Sequence, residues 1–599
     1  MLFIVVSNYF GVLAPQITGF VIDFVQRSLP GYSGSYQPKV KPPSYDVSVQ
    51  KFIDWIGAIN YKPIEIVIIA ALVILGLALL RGFFMFLMRQ TIIVMSRHIE
   101  YDQKNEVFEH YQKLDATFYK THSTGDLMSR MAEDVSRVRM FTGPAIMYFI
   151  NLVTLIGMSV FFMLKRDVEL TLYVLAPLPI LAATIYIVNN IIHKKSEALQ
   201  AALGQLTTTA QQSYSGIRVI KSFGQEKAMY SAFEDSSERY RSGAVGLAKV
   251  EAMYFPSMTL LISLSTLLTI MIGGIYYING HKEIGLATIV EFVIYINMLT
   301  FPVSAIGWTA SMIQRASASQ KRLNEFLQTR PIITSPSVQE NVALAGDIKL
   351  ENVSFTYEHT GIEAIKNLSL HIRSGERIAV VGRTGSGKTT LVQLILRLYD
   401  VTSGKLLLDS IPIDRINLAN LREQMSYVPQ DGFLFSDTVA ANIAFGTKWL
   451  DKEKVREAAR LAVVDKDIEG FSKGYETEIG ERGVTLSGGQ KQRISIARGL
   501  LKEAPIMIFD DCLSAVDART EKEIITNLSG YLHKKTSLFI THRVFNLFQF
   551  DKIIVLEEGE LKEQGTHEEL LARKSTYYKM YLRQQIEEAS PGNSANLAV

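Results

Sequence analysis

The sequence predicts a multidomain protein in which an all-α transmembrane domain of six helices is followed by an α/β domain with a phosphate-binding loop. The first half of the 599-residue chain contains six apolar runs of membrane-spanning length. The second half contains a glycine-rich loop between an apolar strand and a helix pattern, which is the context that a phosphate-binding loop requires. Hydrophobic residues make up 48% of the chain, which suits a protein that is half membrane-embedded and half water-exposed.

A helix needs about 20 mostly apolar residues to cross the hydrocarbon core of a bilayer. Six segments meet this criterion: Leu2–Phe24, Ile64–Val94, Phe141–Leu164, Leu170–Ile192, Tyr254–Ile278 and Ile284–Ala310. Their internal prolines fit spanning helices, in which neighbouring groups satisfy the freed carbonyls. A cleavable signal peptide is not expected, because the apolar start continues past Val25 without a basic segment before it.

Two long polar connections determine the predicted orientation in the membrane. Ser96–Met140 contains seven Lys and Arg residues, and His193–Met253 contains eight. Positive residues accumulate on the cytoplasmic side of membrane proteins, so both connections are expected there. Six spans that begin in the cytoplasm return the chain to the cytoplasm for its second half.

Some features of the predicted membrane domain have two open interpretations. The long outer segment Arg27–Lys62 is either a passive surface loop or a gate for a substrate. Glu291 either lies at headgroup level or contacts a cationic substrate. Four aromatic and methionine side chains either line an apolar cavity or only pack and contact lipid. They are Phe149, Tyr295, Met298 and Phe301.

Composition argues against two other kinds of site. A net charge of +3 offers no chain-wide attraction for nucleic acid, so no nucleic-acid partner is expected. Cys512 is the only cysteine, so neither an intrachain disulfide nor a cysteine-cluster metal site is possible. We expect Cys512 to be a small buried side chain.

The glycine-rich loop follows the apolar strand Arg377–Val381 and leads into a helix pattern. Its glycines let the backbone approach phosphate groups, while its amides and the helix N-terminus attract negative charge. Lys388 is expected to reach the β and γ phosphates of ATP, and Thr389 is expected to ligate Mg²⁺. The predicted nucleotide-binding residues of the loop are Gly382, Thr384, Gly385, Ser386, Gly387, Lys388, Thr389 and Thr390.

Two aspartates follow the apolar strand Ile506–Phe509. Asp510 stands at the C-terminal end of this strand, where its carboxylate is suited to hold Mg²⁺ directly or through water. The next residue, Asp511, is a candidate for polarising the attacking water. The sequence therefore predicts an ATP- and Mg²⁺-dependent phosphoryl-transfer site.

The segment Leu486–Gln490 matches the signature of ATP-binding-cassette proteins, and the whole chain resembles a type IV exporter half-transporter of that family. In the membrane half, Thr124–Arg130 and Gly216–Lys221 resemble the two intracellular coupling segments of such exporters. Gln212 departs from the acidic residue that is usual in the second segment. Further matches in the second half of the chain, which we call the motor half, are Tyr357, Gln430, Ser514–Asp517 and His542.

The resemblance implies a fold and domain limits. The motor half is expected to be an α/β P-loop, RecA-like nucleotide-binding domain with an α-helical subdomain. The expected limits are 1–327 for the transmembrane domain with its coupling loops, and 328–346 for a linker. The nucleotide-binding domain is expected over 347–575, and a C-terminal helix with a polar tail over 576–599.

The resemblance also implies roles at the site. Two motor domains would face each other head to tail, so that Ser487, Gly488, Gly489 and Gln490 of one chain approach the nucleotide of the other. Gln430 would join Thr389 and Asp510 around Mg²⁺ and couple closure of the site to the membrane half. Tyr357 would stack on adenine, unless it only packs in its own domain. The expected catalytic residues are Asp511, His542, Gln430 and Lys388.

Asp511 is a departure, because most motors of this family have glutamate at that position. The aspartate side chain is one methylene shorter, and small misplacements of a positioned base cost around a hundredfold in rate. An intact signature combined with this aspartate is similar to one subunit of bacterial heterodimeric multidrug exporters. A heterodimer with a second half-transporter is therefore favoured, and a homodimer with two slow sites stays open.

Three functions are compatible with these motifs: an ATP-driven exporter, a regulatory subunit and an ATP-gated conduit. The membrane half precedes the motor on one chain, as in exporters, so we favour export or flipping of hydrophobic or amphipathic small molecules or lipids. The expected location is the bacterial inner membrane, with the ATPase domain in the cytoplasm.

Overall fold

The computed structural model describes residues 1–28, 45–59, 61–279, 284–335, 341–480, 486–542 and 549–589. The chain divides into two compact units. The first consists of Met1–Gln112 and Gly125–Thr329, and the second of Lys113–Thr124 and Arg330–Val599. The second unit thus includes a short segment that lies between two spans in the sequence. The domain limits expected from the sequence stay a prediction.

The first unit is helical, and the six predicted spans are confirmed. Among the described residues, six helical stretches are long and apolar enough to cross a membrane: Leu2–Ser28, Pro63–Lys113, Thr124–Arg166, Val168–Ser215, Glu226–Ile278 and Leu286–Leu327. The helices up to this point of the chain are α1 (Leu2–Ser28), α2 (Val47–Ala58), α3 (Pro63–Lys113), α4 (Ala116–Thr121), α5 (Thr124–Ser129), α6 (Val135–Met140), α7 (Ile146–Arg166), α8 (Val168–Leu175), α9 (Pro177–Ser215), α10 (Ile217–Phe223), α11 (Glu226–Ile278) and α12 (Leu286–Leu327).

The helices extend well past the predicted limits of the spans. Helix α3 continues beyond its apolar run as far as Lys113, and α9 continues to Ser215. An α-helix satisfies its backbone hydrogen bonds internally, in water as well as in lipid. Its end therefore need not coincide with the edge of the hydrocarbon core. Hydropathy therefore locates the part of each helix inside the membrane and misses the rest.

The third stretch contains two π-helical turns, Arg130–Asp134 and Phe141–Ala145, between its α-helical parts. The second of these turns contains Pro144. Proline has no N–H to donate and crowds the preceding turn, and a locally wider turn relieves both problems. The helix therefore continues past a residue that would interrupt a regular α-helix.

The outer segment after α1 is partly described. It contains α2, which begins after Asp46, whose side chain accepts a hydrogen bond from the backbone N–H of Ser48. Val49 of α2 is buried in a small apolar cluster with Leu13 and Ile17 of α1. The described part of the segment is thus packed locally, and residues 29–44 lie outside the described residues.

Glu291 is buried inside the protein beside a cation of its own chain, and the two sequence interpretations of it stay predictions. Its carboxylate Oε2 lies 3.4 Å from Nε of Arg166, and the two side chains are 3% and 7% exposed. The ring of Tyr45 from the outer segment lies 5.1 Å from the Arg166 guanidinium. Buried charges in proteins are generally paired, and here the partner is the last residue of α7, which local sequence around Glu291 does not reveal.

The four side chains considered for an apolar cavity divide into two groups. Tyr295 is fully buried, and its hydroxyl donates to the carbonyl oxygen of Val12 at 3.1 Å, so it belongs to the helix-packing core. Met298 packs against the same core. Phe149 and Phe301 are exposed in the single chain.

The described residues of the second unit form two sheets. Its strands are β1 (Ile348–Thr356), β2 (Glu363–Ile372), β3 (Arg377–Val381), β4 (Ser403–Leu408), β5 (Ile411–Pro412), β6 (Met425–Val428), β7 (Ile506–Asp510), β8 (Thr536–Thr541), β9 (Lys552–Glu557) and β10 (Glu560–Gly565). An antiparallel sheet has the order β2-β1-β4-β5, and a larger sheet has the order β10-β9-β3-β8-β7-β6. In the larger sheet β9, β3, β8, β7 and β6 are parallel, and β10 is antiparallel to β9.

Helices cover these sheets and form an additional helical part, as the predicted α/β fold requires. They are α13 (Lys388–Ile395), α14 (Leu418–Glu423), α15 (Val439–Ala444), α16 (Lys452–Leu461), α17 (Asp465–Glu469), α18 (Gly488–Leu501), α19 (Ala518–Tyr531), α20 (His567–Arg573) and α21 (Thr576–Ala589). One core lies around β1, β2, β3 and α13, and a second joins α15, α16 and α18 to β7. Cys512 is buried in the second core, which confirms the expectation for it, and burial raises the pKa of its thiol.

Candidate active site

The residues predicted for ATP chemistry follow the carboxyl ends of four adjacent parallel strands. The glycine-rich loop follows β3, His542 follows β8, Asp510 and Asp511 end or follow β7, and Gln430 follows β6. Parallel strands present their carboxyl ends at one edge of a sheet, and this is where ligands bind in open α/β sheets. The order β3-β8-β7-β6 therefore brings together residues that are far apart in sequence.

The glycine-rich loop has a backbone shape that larger residues do not allow. Gly387 has φ +95° and precedes α13, and a Cβ added to it would lie 2.5 Å from the carbonyl oxygen of Ala364. A Cβ on Gly382 would lie 2.3 Å from the carbonyl oxygen of Leu556. Both glycines are required by close backbone contact, which leaves the loop wrapped around the N-terminus of α13.

Lys388 begins α13 and folds back over the loop. Its Nζ donates to the carbonyl oxygens of Gly382 and Arg383, each at 2.8 Å. Burial lowers the pKa of its ammonium group, while the nearby carboxylates of Asp511 and Asp510 oppose that shift. A half-buried ammonium beside the amides of a helix N-terminus is a suitable arrangement for phosphate.

Asp510 forms the buried floor of the site. It is 2% exposed, and its Oδ1 lies 3.5 Å from the hydroxyl of Thr389. The hydroxyl of Tyr427, on the neighbouring strand β6, donates to its Oδ2 at 3.3 Å. Burial raises the pKa of the Asp510 carboxyl. A carboxylate and a hydroxyl that face each other supply the hard oxygen ligands that Mg²⁺ prefers, so the residues present fit that ion.

Asp511 joins His542 and Gln430 in one polar cluster. Nδ1 of His542 lies 3.1 and 3.2 Å from the two carboxylate oxygens, and Nε2 of Gln430 donates to Oδ2 at 3.3 Å. The Asp511 backbone has φ +45°, and its N–H donates to the carbonyl oxygen of Ile540 at 2.8 Å. Aspartate is among the few residues that tolerate this left-handed conformation. The structure thus brings three of the expected catalytic residues into direct contact.

The signature segment forms the start of α18. The Ser487 hydroxyl accepts from the backbone N–H of Gln490 at 3.2 Å, and Gln490 Oε1 accepts from the backbone N–H of Ser487 at 3.1 Å. Nε2 of Gln490 also donates to Asp467 at 3.0 Å. The Gln490 side chain is therefore engaged within its own domain, whereas Ser487 and Gly488 are exposed at the helix N-terminus.

Tyr357 is held against α13. Its hydroxyl lies 3.0 Å from the hydroxyl of Thr390 and donates to Gln393 Oε1 at 3.0 Å. The ammonium of Lys120, on α4, lies 5.1 Å from the Tyr357 ring centroid. Such a contact between a cation and an aromatic ring contributes about 0.5–1 kcal/mol at exposed sites. Tyr357 remains a candidate for stacking on a base, and Lys120 is a neighbour that the sequence did not indicate.

Sequence reasoning missed three residues that the structure adds to this region: Lys120, Tyr427 and Gln492. Tyr427 lies on β6, three residues before Gln430. A sequence prediction that paired this strand with β7 would have suggested it. No spacing in the sequence links Lys120 to Tyr357, since they are brought together only by folding. Gln492 stands two residues after the signature, and its partners are brought to it only by folding.

Removing the Thr389 hydroxyl tests the expected metal site. We expect Thr389→Ala to raise the Mg²⁺ concentration needed for half-maximal ATP hydrolysis by about tenfold or more, because one oxygen ligand is lost. Thr389→Ser is the matched control and should stay close to the parent, because it keeps the hydroxyl. Titration of Mg²⁺ at saturating ATP measures the effect, and equal behaviour of the alanine and serine variants contradicts the assignment.

Comparison with known proteins covers both units. A family model described as the ABC transporter transmembrane region matches residues 1–303, and one described as ABC transporter matches residues 365–514. A probable multidrug resistance ABC transporter ATP-binding/permease protein, YheI of Bacillus subtilis, is 35% identical over 493 residues, which cover 82% of this chain and 84% of that protein.

Two further comparisons cover almost the whole chain. An ATP-dependent lipid A-core flippase of Pseudomonas aeruginosa is 30% identical over 586 residues, which cover 98% of this chain and 96% of that protein. A solved structure of a bacterial Atm1-family ABC exporter with ATP bound superimposes with a TM-score of 0.75 at 24% identity. The superposition covers 100% of this chain and 99% of that one, and it establishes the likeness of the fold.

Proposed function

Because this chain belongs to the ABC transporter family, we propose that it is one half of an ATP-driven exporter or flippase of hydrophobic or amphipathic molecules. The observation that carries the proposal is a single chain whose described residues include six stretches of membrane-spanning length and, at one sheet edge, the glycine-rich loop with Asp510, Asp511 and His542. It is an integral membrane ATPase, and we propose the bacterial inner membrane as its location. The relatives named for multidrug resistance and lipid A-core flipping support a hydrophobic or amphipathic substrate.

We propose that the glycine-rich loop binds ATP through its backbone amides and that Lys388 contacts the β and γ phosphates. Thr389, Asp510 and Gln430 would hold Mg²⁺, which neutralises charge on the phosphates when bound. Asp511 would orient the attacking water, and His542 would contact the γ phosphate. The contacts of Asp511 with His542 and Gln430 support this assignment, since a base needs neighbours that fix its direction.

We further propose that the chain works as a dimer in which Ser487, Gly488 and Gly489 complete the nucleotide site of the partner. Their position at the exposed N-terminus of α18 supports this, because a helix N-terminus and free amides bind phosphate well. Asp511 supports a heterodimer, in which this chain holds the slower site and the partner the faster one. A homodimer of two slow sites is the alternative.

A transport assay in sealed vesicles tests the proposed function. Reconstituted protein should accumulate a fluorescent hydrophobic dye, or flip a fluorescent lipid, only when Mg²⁺ and ATP are present. Lys388→Met is the control that should abolish both transport and hydrolysis. Accumulation against a gradient supports an exporter, whereas downhill flux alone indicates a conduit. Nucleotide binding without any flux, even with the partner present, indicates a regulatory subunit.

A further inference from the structure

Gln492 lies inside the motor domain, where three functional segments meet. It is on α18, five residues beyond Ser487, and only 7% of it is exposed. Its Nε2 donates to the carbonyl oxygen of Gln430 at 3.2 Å and lies 3.4 Å from the Ser514 hydroxyl. Its Oε1 accepts from the backbone N–H of Ala515 at 3.0 Å. One buried amide thus connects the signature helix to two loops of the catalytic edge.

The loop after Asp511 also packs directly on the signature glycines. A Cβ added to Gly489 would lie 3.1 Å from the carbonyl oxygen of Ala515, and one added to Gly488 would lie 3.8 Å from the Ala515 side chain. Contact this close leaves the two segments little freedom to move separately. Displacement of the N-terminus of α18 therefore displaces the loop that contains Ala515.

Two routes lead from Gln492 to Asp511. In the first, the Ser514 hydroxyl donates to the carbonyl oxygen of Asp511 at 3.0 Å. In the second, Gln430, whose carbonyl Gln492 binds, donates through its own side chain to Asp511 Oδ2 at 3.3 Å. Both the backbone and the carboxylate of Asp511 are therefore connected to the Gln492 amide by two hydrogen bonds each.

We propose that Gln492 is a positioning residue for hydrolysis: it transmits engagement of Ser487–Gly489 by phosphate to the alignment of Asp511 and Gln430. The proposal rests on the proposed function, which assigns Asp511 to catalysis. Gln492 does not touch the reacting atoms and acts only through the two loops that it joins. Phosphate bound at Ser487–Gly489 of this chain would thereby control the alignment of Asp511 in the same chain.

A purely structural role for the Gln492 amide predicts a different result for its variants. It would lower stability, and the loss of activity would follow the loss of folded protein. A positioning residue lowers the rate of hydrolysis while ATP affinity and stability stay close to those of a control. Its effect also disappears when Asp511 has already lost its carboxylate, since residues that act through one another are not additive.

The variant Gln492→Glu keeps the shape of the side chain and the acceptor for Ala515, and it loses the donor to Gln430 and Ser514. Gln424→Glu is the matched control. Gln424 is a half-buried hydrogen-bonding glutamine of this unit, but its Nε2 donates to the carbonyl oxygen of Val342 at 2.6 Å and its Oε1 accepts from the backbone N–H of Leu344 at 2.7 Å. The control therefore loosens the segment before β1 and leaves the catalytic loops unchanged.

The experiment is a double-mutant cycle of Gln492→Glu with Asp511→Asn, measured as single-turnover ATP hydrolysis by the chain as purified from membranes. We expect Gln492→Glu to slow hydrolysis about tenfold in the parent and not at all in Asp511→Asn. ATP affinity should stay within about twofold of the parent, as expected for a step after binding. Ser514→Ala, which removes the first route, should show the same lack of additivity.

Additive effects of Gln492→Glu and Asp511→Asn overturn the proposal, and so does a loss no larger than that of Gln424→Glu at equal melting temperature. If Gln492→Glu does not fold, the Ser514→Ala cycle alone decides by the same criterion. A different result would show that the proposed function itself is wrong. The parent then binds no ATP, or Asp511→Asn hydrolyses it as fast as the parent.

Discussion

Replacing Asp511 by glutamate is expected to raise the rate of ATP hydrolysis at this site by about a hundredfold. The longer side chain moves the carboxylate outward by about an ångström, and a displacement of this size at a positioned base changes the rate by about this factor. A hundredfold change corresponds to about 2.7 kcal/mol of barrier. Steady-state phosphate release by the purified chain, with and without its partner, measures the change.

The backbone at position 511 opposes the substitution only weakly. Its φ of +45° suits aspartate better than glutamate, and a left-handed residue costs about 1 kcal/mol. This conformational cost raises the free energy of the folded protein equally in the ground state and in the transition state of hydrolysis. It therefore does not cancel the gain in rate. Asp511→Asn is the matched control, because asparagine tolerates the same φ and lacks the carboxylate.

Two results separate the interpretations of Asp511. If the glutamate variant is fast and the asparagine variant is inactive, the native aspartate is a weak but functional base. Brisk hydrolysis by the parent chain alone, lost on Asp511→Asn and unchanged by Asp511→Glu, contradicts the slow-site proposal. That outcome indicates a homodimer in which aspartate reaches the water as well as glutamate does.

Breaking the buried ion pair of the first unit is expected to destabilise the protein by about 3–5 kcal/mol. Arg166 and Glu291 are 7% and 3% exposed and 3.4 Å apart. Removing either partner, by Arg166→Met or Glu291→Leu, leaves the other charge buried without it. Replacing both should cost much less, because two apolar side chains of similar size need no compensation in that environment.

Thermal unfolding in detergent or nanodiscs measures these losses as a double-mutant cycle. Each single variant should unfold at a clearly lower temperature than the parent, and the double variant should recover most of the difference. Lys165→Met is the matched control: it removes the adjacent positive charge and one exposed hydrogen bond to the Tyr45 carbonyl oxygen at 3.0 Å, so a much smaller loss is expected. Additive losses in the double variant contradict the pairing.

The sequence predicted those features that depend on residues close together in the chain. Apolar runs of about 20 residues determine where a helix can lie in a bilayer, so the six spans were predicted correctly while the helix ends were not. The strand, glycine loop and helix around Lys388 form one local unit, and its backbone geometry is that expected for phosphate. Gathering of Lys388, Asp510 and His542 at one edge also follows from local elements, because parallel strands end together.

Contacts between residues far apart in sequence were decided only by tertiary packing. Glu291 pairs with Arg166 because α7 and α12 bring them together, and nothing near either residue indicates the other. The same holds for Lys120 at Tyr357 and for Gln492 between two catalytic loops. Local sequence encodes backbone preference and hydropathy, whereas the partner of a buried polar group depends on which helices and loops meet around it. The sequence alone thus determined the class of machine and its nucleotide motifs, and the folded chain determined how those motifs are held in place.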